Sequence, residues 1–175
     1  MLTKTFNTLM HAMVTGESFS LTTPGGTTAS QTLPATMSNN YQTYFITSMV
    51  RIPELMKRDS YSSAIINKTG GVSFGCGTAQ PTENDYTIEQ VVLSSGKGMT
   101  ATSTVSQDGN SCTGVYVIVN NGTESITITE AALFGTAPKS NSSYNLYMID
   151  HTLLEEPVTI PPGEVGKVTY TITVL

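Results

Sequence analysis

The sequence predicts a mainly β protein: an antiparallel β-sandwich of jelly-roll or immunoglobulin-like kind, with an N-terminal amphipathic helix and an extended arm. Three observations predict it. Thr (29) and Ser (18) together exceed a quarter of the 175 residues, and β-branched Thr suits a pleated strand, whereas the usual surface helix formers are scarce. Charged residues make up 12% of the chain, about half the roughly 25% usual for soluble domains. Short alternating apolar runs recur between turn signals at the spacing of a sandwich. The chain divides into residues 1–40, helix and arm, and residues 41–175, the sandwich domain.

The first segment is helical in period. Leu2, Phe6, Leu9, Met10 and Met13 recur on one face, and Thr15-Gly16 ends the pattern. This stripe suits either the protein's own core or a neighbouring subunit, and removal of residues 1–16 is expected to leave the sandwich folded. From Glu17 to Asn40, Thr, Ser, Pro and Gly dominate, with turns at Pro24-Gly25-Gly26 and Ser38-Asn39-Asn40. An arm is expected there, with one short strand over Ser18–Thr22. Tyr41–Val50 alternates as a strand, and Arg51–Arg58 reads as a short helix with Pro53 in its first turn. Tyr61–Asn67 and Val72–Gly77 are strands flanking Lys68-Thr69-Gly70-Gly71.

The strongest local signal is Val115–Glu130, where Asn121-Gly122 is the preferred dipeptide of a type I′ hairpin. That loop sets Val117 opposite Ile126 and Val115 opposite Ile128, one apolar face, with Tyr116 and Ile118 on the other. The same parity places Glu130 on the apolar side, where a bulge re-aims it or hydrogen bonds satisfy it as a buried structural carboxylate. Leu133-Phe134-Gly135, a polar excursion over Thr136–Ser143 and an apolar Tyr144–Leu154 follow. Val158-Thr159-Ile160 leads into the Pro161-Pro162-Gly163-Glu164 turn. Val168, Tyr170, Ile172 and Val174 then alternate with Lys167, Thr169, Thr171 and Thr173, a half-buried strand with a threonine outer face.

The chemistry is sparse. Eight scattered cations against 13 carboxylates give a net charge of −5 and a pI near 4.9, which excludes a phosphate-tracking basic patch and hence nucleic acid. No apolar run approaches the ~18 residues that span a bilayer, so no membrane is expected. The start MLTKTFNTLMHAMVTG lacks a continuous apolar stretch, so no signal peptide is expected. Cys76 and Cys112 are expected as buried reduced thiols. Of the two histidines, His11 reads as structural. His151 neighbours Asp150, but adjacent strand residues point to opposite faces, which makes a direct dyad geometrically poor. Glu83, Asp85 and Glu89 lack the spacing of a calcium loop and read as solvated carboxylates. The sequons at Asn67, Asn121 and Asn141 are expected to be silent. No catalytic, cofactor-binding or metal residue is assigned, and the protein is expected not to be an enzyme.

Three phrases carry a resemblance. Gly75-Cys76-Gly77-Thr78-Ala79-Gln80-Pro81-Thr82-Glu83-Asn84-Asp85-Tyr86-Thr87-Ile88-Glu89 resembles a recurring G-x-G-T-x-x-P-T-x-x-D-Y-x-L-E segment of small structural proteins of tailed bacteriophages. Ile126-Thr127-Ile128-Thr129-Glu130-Ala131-Ala132-Leu133-Phe134 is similar to their I-T-I-x-E-x-x-L-F hairpin, with Ala132 where Gly is common. Pro157–Ile172 matches their V-T-I-x-P-G…V-T-Y-T-I ending. The resemblance covers about residues 70–175 and implies a β-sandwich virion component, in the virion and assembled in the host cytoplasm. A capsid decoration or cement protein is expected, homo-oligomeric, with the major capsid protein or neck and tail proteins as partners. The alternatives are a neck, tail or baseplate adaptor or fibre-attachment protein, and a carbohydrate-binding receptor module stacking sugars on Tyr116, Tyr144 or Tyr147.

Overall fold

The computed structural model describes residues 3–5, 7, 8, 11, 19–31, 56, 70–92, 99–140 and 143–173. Their strands are β1 (Phe19–Thr22), β2 (Thr28–Gln31), β3 (Gly71–Gly75), β4 (Met99–Asp108), β5 (Ser111–Asn120), β6 (Ile126–Ser140), β7 (Ser143–Ile160) and β8 (Val165–Thr173). β1 and β2 pair alone. The other six form two antiparallel three-stranded sheets, β3-β6-β7 and β4-β5-β8. Val72, Phe74, Ile128, Leu133 and Ile149 of the first sheet share one core with Tyr116, Ile118, Val168, Tyr170 and Ile172 of the second. The fold is thus mainly β and consistent with a β-sandwich. Among the described residues the two sheets hold fewer strands than a jelly roll or an immunoglobulin domain requires.

The alternation expected in β8 holds. Gly166, Val168, Tyr170 and Ile172 are buried, and Lys167, Thr169, Thr171 and Thr173 face solvent. The outer threonines pair across strands: Thr171 with Thr113 at 3.0 Å and Thr173 with Ser111 at 2.8 Å. On the other sheet Thr127 pairs with Thr159 at 2.9 Å. Each pair is worth a few tenths of a kcal/mol up to about 1 kcal/mol. At the centre of the core the Tyr116 ring stands edge-on to Phe74, centroids 5.2 Å apart, and lies across Gly114, whose missing side chain makes the room. Tyr170 donates its hydroxyl proton to Asp150 Oδ2 at 2.5 Å, a polar tie between the sheets. Burial, with the neighbouring Asp150 charge, holds this phenol protonated well above its ordinary range.

The Asn121-Gly122 hairpin is overturned. β5 does not pair with β6; Val117 lies opposite Thr102 and Lys167, and Ile126 opposite Ile160. The inward face of β5 is Tyr116 and Ile118, while Val117 is exposed. A type I′ turn needs positive φ at both central residues, and neither Asn121 nor Gly122 has it. The buried Asn120 side chain instead accepts from the Gly122 N–H at 2.9 Å and donates to the Glu124 and Ile160 carbonyls at 2.7 and 2.8 Å. Its backbone N–H donates to the Glu164 carbonyl, and its own carbonyl accepts from Gly163. Asn120 therefore turns the chain from one sheet to the other and clasps that crossing to the Pro161–Glu164 turn, where β7 crosses back. The tight two-residue hairpin is Gly109-Asn110, between Asp108 and Ser111, with Gly109 at φ 54° as a type II′ turn demands.

The N-terminal part also departs from expectation. The short strand expected over Ser18–Thr22 is present as β1, but it pairs with β2 in a hairpin over Phe19–Gln31 rather than standing in an arm, closed around the expected Pro24-Gly25-Gly26 turn by the Gly26 N–H on the Thr23 carbonyl at 2.8 Å. Of the expected amphipathic helix, residues 4, 5, 7, 8 and 11 have helical backbone, the apolar stripe lies outside the described residues, and no continuous helix is defined. The expected elements over 41–50, 51–58 and 61–67 also lie outside them, Met56 apart, which is helical and buried. Nor does the N-terminus stand clear of the sandwich. Thr3 is buried, its N–H on the Ile149 carbonyl at 2.9 Å and its hydroxyl on Met148 O at 2.8 Å, and the Lys4 N–H reaches Glu83 O. Removing residues 1–16 strips the Thr3 bonds from β7 and the Lys4 bond from Glu83.

Three register shifts interrupt the β6-β7 ladder, between Ile128 and Glu130, Leu133 and Phe134, and Pro138 and Ser140. At the first, Thr129 alone faces residues 154–157 of β7, so that stretch bulges away from its partner.

Candidate functional site

Among the described residues the densest polar constellation lies on the outer face of the β3-β6-β7 sheet, beneath the segment from Cys76 to Val92. Ile88 and Val91 seat that segment on Ala132, Phe134, Leu146 and Met148. It also extends the sheet past β3, through the Val92 N–H on Phe74 O at 2.8 Å and the Cys76 N–H on Glu89 O at 3.2 Å. Glu130, whose awkward parity the sequence exposes, sits at its centre, 2% exposed and beside a register shift. Its Oε1 accepts the N–H groups of Gly77 at 2.9 Å and Glu89 at 2.8 Å. Its Oε2 faces His151 Nε2 at 2.8 Å.

The other imidazole nitrogen, Nδ1, lies 2.6 Å from Asp85 Oδ2. Asp85 is itself held by a short turn, its carboxylate accepting the Thr82 N–H at 2.9 Å and the Thr82 hydroxyl at 2.6 Å. A carboxylate only accepts, so the ring satisfies both neighbours only as imidazolium, donating from both nitrogens. The pKa directions agree. Burial pulls the His151 pKa down, but the hydrogen bonds and charges of Glu130 and Asp85 outweigh it and hold it above 6.5. Burial pushes Asp85 up, but the Thr82 bonds and His151 outweigh it and hold it below 3.8. The solvated role expected for Asp85 is therefore overturned.

A pH dependence follows. Stability from His151 is complete below its unfolded value near 6.5 and is lost as pH rises through the raised folded value. Stability from Asp85 is complete above 3.8 and is lost as pH falls through the lowered one. Thermal melts from about pH 5 to about pH 9 should therefore show Tm falling on the alkaline side, and His151→Gln should flatten that limb. An unchanged alkaline limb in the variant would assign it to other groups.

Chemically the trio is a latch. Both ring nitrogens are occupied by carboxylates, leaving neither as a base for another group. Ser73 is buried in the same cross-strand row as Ala132 and His151, yet no imidazole nitrogen remains to activate it. Asp150 points into the sandwich toward Tyr170, away from His151, as strand alternation requires. No cluster of His, Cys, Asp or Glu suited to a metal ion occurs among the described residues. Cys112 is buried and Cys76 half-buried, both as thiols. Tyr116 and Tyr147 are wholly buried, which removes them as sugar-stacking platforms; the Tyr144 side chain lies outside the described residues. Among the described residues no helix is long and apolar enough to cross a membrane.

Sequence reasoning found Glu130 by parity but missed its union with His151 and Asp85, because neither lies near it in the chain. The chain matches no protein-family model, no curated protein and no solved structure.

Proposed function

We propose that this chain is a non-enzymatic structural component of a tailed-bacteriophage virion, a capsid decoration or cement subunit that acts by contact with its neighbours. One observation carries the reading. Two of the three phrases that resemble phage structural proteins close on each other at Glu130: Gly75, Gly77, Thr82, Asp85 and Glu89 come from the first, and Glu130 from the second. The residues that make those phrases conspicuous, through backbone at Gly77 and Glu89 and through side chains at Thr82, Asp85 and Glu130, are used in holding the fold, as expected of a scaffold rather than a site of turnover. The outer rows of exposed threonine on β4 and β8 add a nearly uncharged face of short hydrogen-bonding groups, suited to packing against neutral neighbours with little loss of side-chain entropy.

Copy number tests this. Gel densitometry of purified virions against the major capsid protein is expected to give hundreds of copies per particle. A dozen or fewer would transfer the chain to a neck, tail or baseplate ring, and its absence from purified virions would overturn the virion reading.

A further inference from the structure

The two sheets each end in an edge strand on the same side of the sandwich, β7 in one and β8 in the other. The bulge at residues 154–157 parts β7 from its own ladder beside β8. Between bulge and β8 lies a cleft of about 500 Å³. Its apolar lining is Ala131, Leu153, Leu154, Val158, Val168 and Tyr170; its charges are Glu155 and Glu156, exposed on the bulge, and Lys167 on β8, with no salt bridge between them among the described residues.

Both outer strands of the other sheet, β3 and β7, are met at their free edges, whereas no main-chain partner meets the free edge of β8 among the described residues. The outer edge of β3 is taken by Glu89–Val92, and β7 is met by Thr3 at Met148 and Ile149. β8 has one strand neighbour among the described residues, contains no proline and carries a single charge, Lys167. Natural sheets blunt such edges or use them.

We propose that this cleft takes an extended peptide segment of a partner protein, added as a strand to the edge of β8. Apolar side chains at alternate positions enter the cleft, and a Lys or Arg meets Glu155 and Glu156. Main-chain bonds to an edge supply affinity and alternate side-chain pockets supply selectivity. Charge selects a basic foreign segment over a second copy, because two-fold pairing of β8 with itself would gather four carboxylates, Glu155 and Glu156 of each copy, against only two Lys167 cations around the axis. The inference rests on the cleft alone and stands whether or not the chain belongs to a virion.

The test is selection of a displayed library of nine-residue peptides on the full chain, followed by amide exchange measured by NMR. Enriched peptides are expected to alternate apolar and polar residues around a Lys or Arg, and to protect alternate amides between Val165 and Thr173. The E155K/E156K double variant, altered only at exposed positions, should bind them about ten-fold more weakly, and their Lys→Glu counterparts should recover binding to that variant. Failure to enrich any peptide, enrichment without protection of β8, or equal binding by the double variant would overturn the proposal. So would protection of β8 that rises with protein concentration in the absence of peptide, which would make the occupant a second copy.

Discussion

Replacing Glu130 by Leu is expected to destabilise the protein by about 3–5 kcal/mol, the usual consequence of removing one partner from a buried ionic cluster. The substitution leaves the N–H groups of Gly77 and Glu89 without their acceptor and His151 with one carboxylate instead of two. At about 2–4 °C per kcal/mol for a chain of this size, the loss is visible in any thermal melt. Glu130→Gln separates the components. Its amide oxygen can still accept from both N–H groups, so about 1–3 kcal/mol is expected, reflecting a lost charge-assisted bond. Because a neutral His151 can accept from the new amide while donating to Asp85, the alkaline fall in Tm should shrink as well. Urea titrations of the two variants decide the matter; a loss below about 1 kcal/mol for the Leu variant would mean that the cluster is incidental to stability.

The two glycines facing this carboxylate give the second large effect. Neither has a positive φ, so space alone dictates them. The three atoms nearest a Cβ on Gly77 all belong to the Glu130 carboxyl group, at 2.6 to 2.9 Å, whereas one on Gly75 would press on Glu130 Oε1 and also lie 2.5 Å from the Glu89 carbonyl oxygen. Both Gly→Ala changes are expected to cost about 2–3 kcal/mol or more through overpacking. They should part company in a Glu130→Ala background. There Gly77→Ala should become nearly neutral, a coupling of about 2 kcal/mol, while Gly75→Ala still meets backbone and stays costly. Equal rescue of both by Glu130→Ala in denaturant titrations would refute this account of the first G-x-G.

The sequence was most legible where one face alone is apolar. β8 alternates aliphatic with threonine and lies as its pattern requires. β5 was legible as a strand but not in its facing, because Val115, Val117 and Val119 oppose an inward row with Tyr116 and Ile118, so parity favours neither side. Asn121-Gly122 then supplied a plausible register, and a single buried amide, Asn120, overrode it by bonding across 40 residues to Ile160. β4, with Thr and Ser at half of its positions, shows almost no apolar period, and the tight turn at Gly109-Asn110 is its clearest marker. In the polar site, parity isolated Glu130 because a carboxylate on an apolar face demands partners. Which partners was illegible: His151 meets Asp85 across 66 residues, and no local rule of strand or turn encodes that meeting.

The sheet order has a consequence in time. β5 is the middle strand of its sheet, but one of its two neighbours, β8, begins 45 residues after β5 ends. At the usual pace of a ribosome those residues take about 2–9 s to appear, and until then β5 carries an open side. A nascent chain stopped inside β7 should therefore lack half of that sheet's ladder, and the finished sheet must close after synthesis has passed residue 165.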